Sequence, residues 1–202
     1  MKALIVVDLQ NDFIPGGSLA VPGGHEIIPI INRLEEKFPL VVATQDWHPA
    51  HHSSFASNHP GKKVYETVII DGLEQILWPD HCLQGKEGAR LVSGFDDRPV
   101  EAIFRKGTDP RIDSYSGFFD NGRKKSTGLG DYLRGRGVRQ VYLCGLAAEF
   151  CVLYTALDAL ELDFETYYVE DATRALSEEG FHQAKEQVVK RGGILLTSAE
   201  IN

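Results

Sequence analysis

The chain has 202 residues, with 29 acidic against 21 basic side chains and a formal net charge of −8. A hydrophobic share of 43% and a charged share of 25% are ordinary for a soluble globular chain, and the length suits one domain over 1–202. The acidic balance argues against a nucleic-acid face, and no apolar run is long enough to span a membrane.

Strand and helix patterns alternate along the chain. Lys2–Asp8 is a short apolar run ending in a carboxylate, which reads as a strand buried on both faces. His25–Phe38 spaces its apolar residues as a helix does, with Pro29 near the first turn. Leu40–Asp46 is a second strand. Residues 47–99 are irregular and rich in His, Pro, Ser and Gly, and a loop of that length is usually functional. Val100–Gly107 is a third strand, Thr127–Gly137 a short helix with a glycine stop, and Val138–Gly145 a fourth strand. A helix over Glu149–Leu162, a strand over Phe164–Ala172, a helix near Ser177–Arg191 and a strand over Gly192–Ser198 complete the pattern. Such alternation predicts a three-layer α/β/α fold around a mostly parallel sheet. The basic triplet within Gly122–Ser126 reads as a solvated loop. The N-terminus has no secretory pattern, and the three cysteines, Cys82, Cys144 and Cys151, form no CxxC. The expectation is a reduced cytoplasmic protein.

Polar residues collect at the carboxyl ends of these strands, the edge where open parallel sheets bind ligands. Asp8 ends the first, Asp46 and His48 the second, Lys106 the third, and Cys151 follows the fourth. Each has a bland reading: a turn or cap for Asp8, a surface lysine for Lys106, a small buried residue for Cys151. Their convergence on one edge favours chemistry. Cys151 in a first helical turn would have its thiolate favoured by the helix start and by a nearby lysine, with a carboxylate to take its proton. Cys144, in mid-strand, reads as core.

A metal argument is separate. Asp46 and His48 are two residues apart, so in an extended segment both point the same way. His81, in the pentapeptide Trp78–Cys82, can join them from the long loop. Two histidines and a carboxylate make a three-ligand site with open positions, suited to zinc, with iron or manganese as alternatives. Four of the seven histidines, His48, His51, His52 and His59, fall within twelve residues. His52 is a candidate fourth ligand, and a solvated histidine-rich loop is the competing reading.

Five stretches then carry a resemblance: VVDLQNDF (Val6–Phe13), DWH (Asp46–His48), WPDHC (Trp78–Cys82), RKGTDPRIDSYSGF (Arg105–Phe118) and CGLAAEFCV (Cys144–Val152). In this order, over nearly the whole chain, they resemble the nicotinamidases, metal-containing members of the isochorismatase-like cysteine hydrolases. The resemblance implies hydrolysis of nicotinamide to nicotinate and ammonia through a cysteine thioester, with a role in NAD salvage. It implies a triad of Asp8, Lys106 and Cys151 and metal ligands Asp46, His48 and His81. It also implies a cis peptide at Leu146–Ala147, oxyanion donors at Ala147 and Cys151, and ring-binding residues Phe13, Trp78 and Tyr115. On this basis one divalent ion, zinc first, orients the pyridine ring, and Cys82 is a bystander. The partner is a small molecule, with no nucleic acid or membrane, and a homo-oligomer is compatible. Ala148 and Glu149 depart from the family's common Thr-Asp. Three alternatives stay open: a metal-free relative acting on another amide or on isochorismate, a hydrolase whose metal activates water, and a nucleotide-binding module. The last lacks a Gly-rich phosphate loop after the first strand.

Overall fold

The computed structural model describes residues 1–202. Lys2–Val7 forms β1, apolar from Ala3 onward and buried over that stretch. Val41–Asp46 forms β2, Val100–Lys106 β5, Gln140–Gly145 β6, Glu165–Thr173 β7 and Ile194–Leu196 β8. Within residues 47–99 lies a hairpin not expected from the apolar periodicity, β3 (Thr67–Ile70) paired antiparallel with β4 (Leu73–Ile76). Its local signal is the turn dipeptide Asp71-Gly72, both residues at positive φ (50° and 82°), while its strands are short and Ile69 is 66% exposed.

The six other strands make one sheet in the order β5-β2-β1-β6-β7-β8. Every neighbouring pair is parallel. The chain starts at the centre, steps outward through β2 to β5, returns to β6 beside β1, and steps outward again. That reversal leaves the connections after β1 and β6 leading to opposite faces, which opens a crevice at their carboxyl ends.

Side chains of β1 divide between two cores, as period-two alternation requires. Leu4 and Val6 pack with Ile31 and Leu34 of α1 (Ile28–Glu35). Ala3, Ile5 and Val7 pack on the other face with residues of α2 (Leu129–Gly135), α3 (Leu153–Glu161) and α4 (Glu178–Lys190). The expected three-layer parallel architecture is what forms. No helix is long and apolar enough to cross a membrane.

Element ends differ from expectation at two places that matter. The helix expected over 25–38 begins as a 3-10 turn, Gly24–Ile27, and becomes α1 at Ile28, with Pro29 in its first two positions. The helix expected from Glu149 begins instead as a π-turn over Ala148–Val152, and α3 follows from Leu153. Cys151 therefore lies in a widened turn ahead of the α-helix.

Candidate active site

Asp8 is the first residue past β1 and takes a left-handed φ of 45°. That conformation is disfavoured for an L-residue and turns the chain out of the sheet. Its Oδ1 accepts a hydrogen bond from the Thr44 hydroxyl at 2.6 Å, and its backbone N–H donates back to that hydroxyl at 3.2 Å. Asp46 and Lys106 end neighbouring strands and face each other directly in the β2/β5 register. Cys151 follows β6, next to β1.

These ends bring the four side chains together. The Lys106 ammonium is 2.6 Å from Asp46 Oδ1, 2.8 Å from the Ser114 carbonyl oxygen and 3.4 Å from Cys151 Sγ. It is also 2.8 Å from Asp8 Oδ2. With 2% exposure, Lys106 is not a surface lysine. Asp8 Oδ2 is ion-paired to this ammonium and has the Cys151 thiol beside it: Asp8, Asp46 and Cys151 present ligand atoms within 4.8 Å of one another.

The electrostatics correct one expectation. Burial pushes the Cys151 thiol well above its ordinary value; Lys106 opposes this and Asp8 reinforces it. Desolvation in the buried turn thus works against the thiolate that a helix start favours. Burial also raises the Asp8 carboxyl, against the pull of Lys106. Asp46 goes the other way: burial would raise it, but Lys106 and His48 hold it well below the usual carboxylate range. Lys106, which burial alone would lower, is kept well above its ordinary value by Asp46 and Asp8.

The second cluster shares Asp46. Its Oδ2 faces His48 Nε2 at 3.4 Å and His81 Nε2 at 3.6 Å. His48 Nδ1 lies 2.9 Å from the Gly107 carbonyl oxygen and His81 Nδ1 lies 2.8 Å from that of Pro79. A carbonyl can only accept, so each neutral ring carries its proton on Nδ1 and turns the Nε2 lone pair inward. His48 Nε2 is buried with no hydrogen-bond partner. Two imidazole lone pairs and a carboxylate oxygen converging in a buried space fit a divalent cation. Backbone pairing aligns the ligands: His48 N–H donates to the Cys82 carbonyl at 3.0 Å and Gln84 N–H to the His48 carbonyl at 2.9 Å.

His52 lies beside this set, sharing with His48 and Asp113 a second group whose ligand atoms fall within 4.8 Å of one another. Its Nδ1 is 2.7 Å from the Ser54 hydroxyl and its Nε2 3.3 Å from the Ile112 carbonyl oxygen. Burial lowers its pKa to about 4, so it is neutral. His51 is exposed, and His59 meets the Ser53 carbonyl. Cys144 is fully buried in the core, as expected.

A narrow, mostly apolar pocket joins the two clusters, lined by Phe13, Trp78, His81, Tyr115, Ala147 and Cys151 among others. Leu19, Val21, Phe150 and Leu176 also line it. Sequence reasoning did not single these out: Leu19, Val21 and Leu176 lie in loops, where apolar residues carry no periodic signal, and Phe150 reads as one more apolar residue of its helical turn. Trp78 Nε1–H donates to the Tyr115 hydroxyl at 3.3 Å, which fixes both rings. The Leu146–Ala147 peptide is cis. The unusual Glu149 caps a neighbouring element: its carboxylate accepts from the N–H groups of Leu176 and Ser177 at 3.1 and 3.0 Å.

A central switch between β1 and β6, with Asp, Lys and Cys at the strand ends, is the arrangement of a known class. The isochorismatase domain model matches residues 2–200, and the chain belongs to the isochorismatase family. Within that family it groups with the nicotinamidases. It is 46% identical to the nicotinamidase of Acinetobacter baylyi over 192 residues, 95% of this chain and 90% of that one. A solved structure described as Acinetobacter baumanii nicotinamidase pyrazinamidease superposes with a TM-score of 0.97 at 44% identity, covering 100% of this chain and 98% of that one. The pyrazinamidase of Pyrococcus horikoshii in complex with zinc superposes with a TM-score of 0.81 at 40% identity, covering 97% and 98%.

Proposed function

We propose that residues 1–202 act as one isochorismatase-like hydrolase domain that converts nicotinamide to nicotinate and ammonia through a cysteine thioester, in salvage of NAD. The observation that carries this reading is the double use of Asp46. One oxygen grips Lys106 at 2.6 Å and the other faces His48 and His81. A group that holds a pyridine ring and a group that attacks its carboxamide are thereby fixed relative to each other, the condition for a near-attack geometry.

Asp8, Lys106 and Cys151 are the catalytic set. Asp8 Oδ2 accepts the thiol proton as sulfur attacks the amide carbon, and later gives that proton to the departing nitrogen. A carboxyl raised by burial is a better base than an ordinary one. Lys106 stays charged throughout and stabilises the thiolate as it forms. The backbone N–H groups of Ala147 and Cys151 are the donors for the tetrahedral oxyanion. Ammonia leaves a thioester; Asp8 then takes a proton from the water that attacks it and returns that proton to the Cys151 sulfur as nicotinate departs. Phe13, Trp78 and Tyr115 hold the ring flat and keep bulk water away. Asp46, His48 and His81 would hold a divalent ion, zinc first, which supplies a Lewis-acidic anchor for the pyridine nitrogen.

Ammonia release from nicotinamide by purified protein, with metal content measured alongside, tests the reading. Turnover with about one divalent ion per chain is expected. Loss of the ion is expected in His48→Ala and in His81→Ala. No ammonia from the metal-loaded protein overturns the substrate, and full metal occupancy in both variants overturns the ligand set.

A further inference from the structure

The segment that follows β1 reaches the metal-ligand set from outside it. Gln10 is fully buried, and its side-chain amide pairs with both backbone groups of Asp46: Oε1 accepts from N–H and Nε2 donates to the carbonyl, each at 2.8 Å. Two residues on, Asp12 Oδ2 accepts the Cys82 backbone N–H at 2.7 Å. That N–H belongs to the peptide joining His81 to Cys82. Cys82 is a non-glycine residue at a φ of 47°, a conformation that needs an external partner to hold it. It is held from both sides, because its carbonyl accepts the His48 N–H at 3.0 Å. Asp12, Cys82 and His48 thus form a chain of two hydrogen bonds, one to the Asp12 carboxylate and one between backbones, that sets the two histidines in register.

From this geometry we infer that Asp12 is the positioning residue for His81. It acts through the Cys82 amide to aim Nε2 of a ligand it does not itself touch. A local role alone does not account for it. The Asx-type contact of Oδ1 with the Ser18 N–H is long, 3.3 Å, whereas the short bond crosses 70 residues of sequence. The fold also reserves room for the carboxylate. A Cβ at Gly88 would fall 2.1 to 2.4 Å from the three carboxylate atoms, so residue 88 has space only for hydrogen while Asp12 keeps its bond.

This inference rests on the metal set proposed above, and two measurements separate its failure from that of the set. The first is zinc affinity, by titrating metal-stripped protein against a chromophoric chelator. Asp12→Ala and Gly88→Ala should each weaken zinc binding about 10–100-fold, the usual effect of losing an outer partner of a ligand. Asp12→Asn keeps an acceptor oxygen and should stay within about threefold of wild type. The second, read on metal-free protein, is hydrogen exchange of the Cys82 amide, which should speed up at least tenfold in Asp12→Ala and Gly88→Ala. A folded Asp12→Ala that melts lower but binds zinc within twofold of wild type, with Cys82 still protected, overturns the inference, and so does Asp12→Asn as weak as Asp12→Ala. If Asp12→Ala does not fold, Gly88→Ala carries both readouts. A wild-type protein that binds no zinc refutes the metal set instead, and exchange at Cys82 then decides Asp12 alone.

Discussion

Lys106 sits buried between two carboxylates, a carbonyl and a sulfur. Removing it leaves Asp8 and Asp46 buried and facing each other without a counter-charge. A surface lysine would be dispensable for folding, but this one is not. Lys106→Met should cost about 3–5 kcal/mol of stability, the usual penalty for breaking a buried pair. In whatever folded fraction remains, kcat should fall by orders of magnitude, about 100-fold or more for loss of a preorganised charge. Chemical denaturation with turnover measured on the folded fraction checks both, and near-normal turnover would return the lysine to a structural role.

The cysteines separate at the same scale. Cys82 and Cys151 are both buried and both pushed well up by burial. Only Cys151 lines the cavity and touches Lys106. Cys151→Ala should abolish ammonia release, below about 10⁻³ of wild type as for loss of a nucleophile, while retaining the metal. Cys82→Ala should keep most activity, because its backbone, not its thiol, holds His48 and Asp12. Reversal of the two phenotypes would place the nucleophile in the Trp78–Cys82 segment.

Among the elements, α4 is the one whose start is built most fully. Ser177 Oγ accepts the Gly180 N–H at 3.0 Å, and Glu149 satisfies the N–H groups of Leu176 and Ser177. Four N–H groups at a helix start need partners, and these two side chains supply two, at Ser177 and Gly180, while Glu149 also holds the preceding Leu176 N–H. Glu149 thereby ties the nucleophile turn to α4 and to Leu176 in the cavity wall. The longer reach of glutamate suits a cap made across elements. Ser177→Ala should cost about 1 kcal/mol, read as a lower denaturant midpoint with unchanged slope. A midpoint that does not move would show that Glu149 alone closes the helix start.

For the whole molecule, stability should carry the signature of a misplaced acid. Glu35, near the end of α1, is 3% exposed and both its carboxylate oxygens lack hydrogen-bond partners. Burial, with Asp96 and Asp97 adding to it, lifts its pKa from 4.5 to about 8. The folded state therefore keeps this proton over a range where the unfolded chain loses it. Its contribution is complete below about pH 4.5 and is lost as pH rises through about 8. Melting temperatures of wild type and Glu35→Gln should coincide near pH 4 and diverge above it, with Gln the more stable by pH 8.5. A constant difference across that range would show that Glu35 titrates normally.

The sequence alone determined the parallel α/β architecture and the row of polar strand ends, because both are written in local period and spacing. Alternation and apolar runs place β1, β2, β5, β6 and β7 to within a residue or two. Asp8, Asp46, Lys106 and Cys151 are legible because each follows such a run. The tertiary structure decided the rest. It split the helix before Leu153, turned His52 to Ser54 and Ile112 and buried Lys106. It also buried the Cys151 thiol, which pushes its pKa up against the thiolate-favouring helix start. Desolvation belongs to what surrounds a group, and a bond such as Asp12 to Cys82 spans 70 residues. Neither is encoded in the spacing of nearby residues, so neither could be read before the chain was folded.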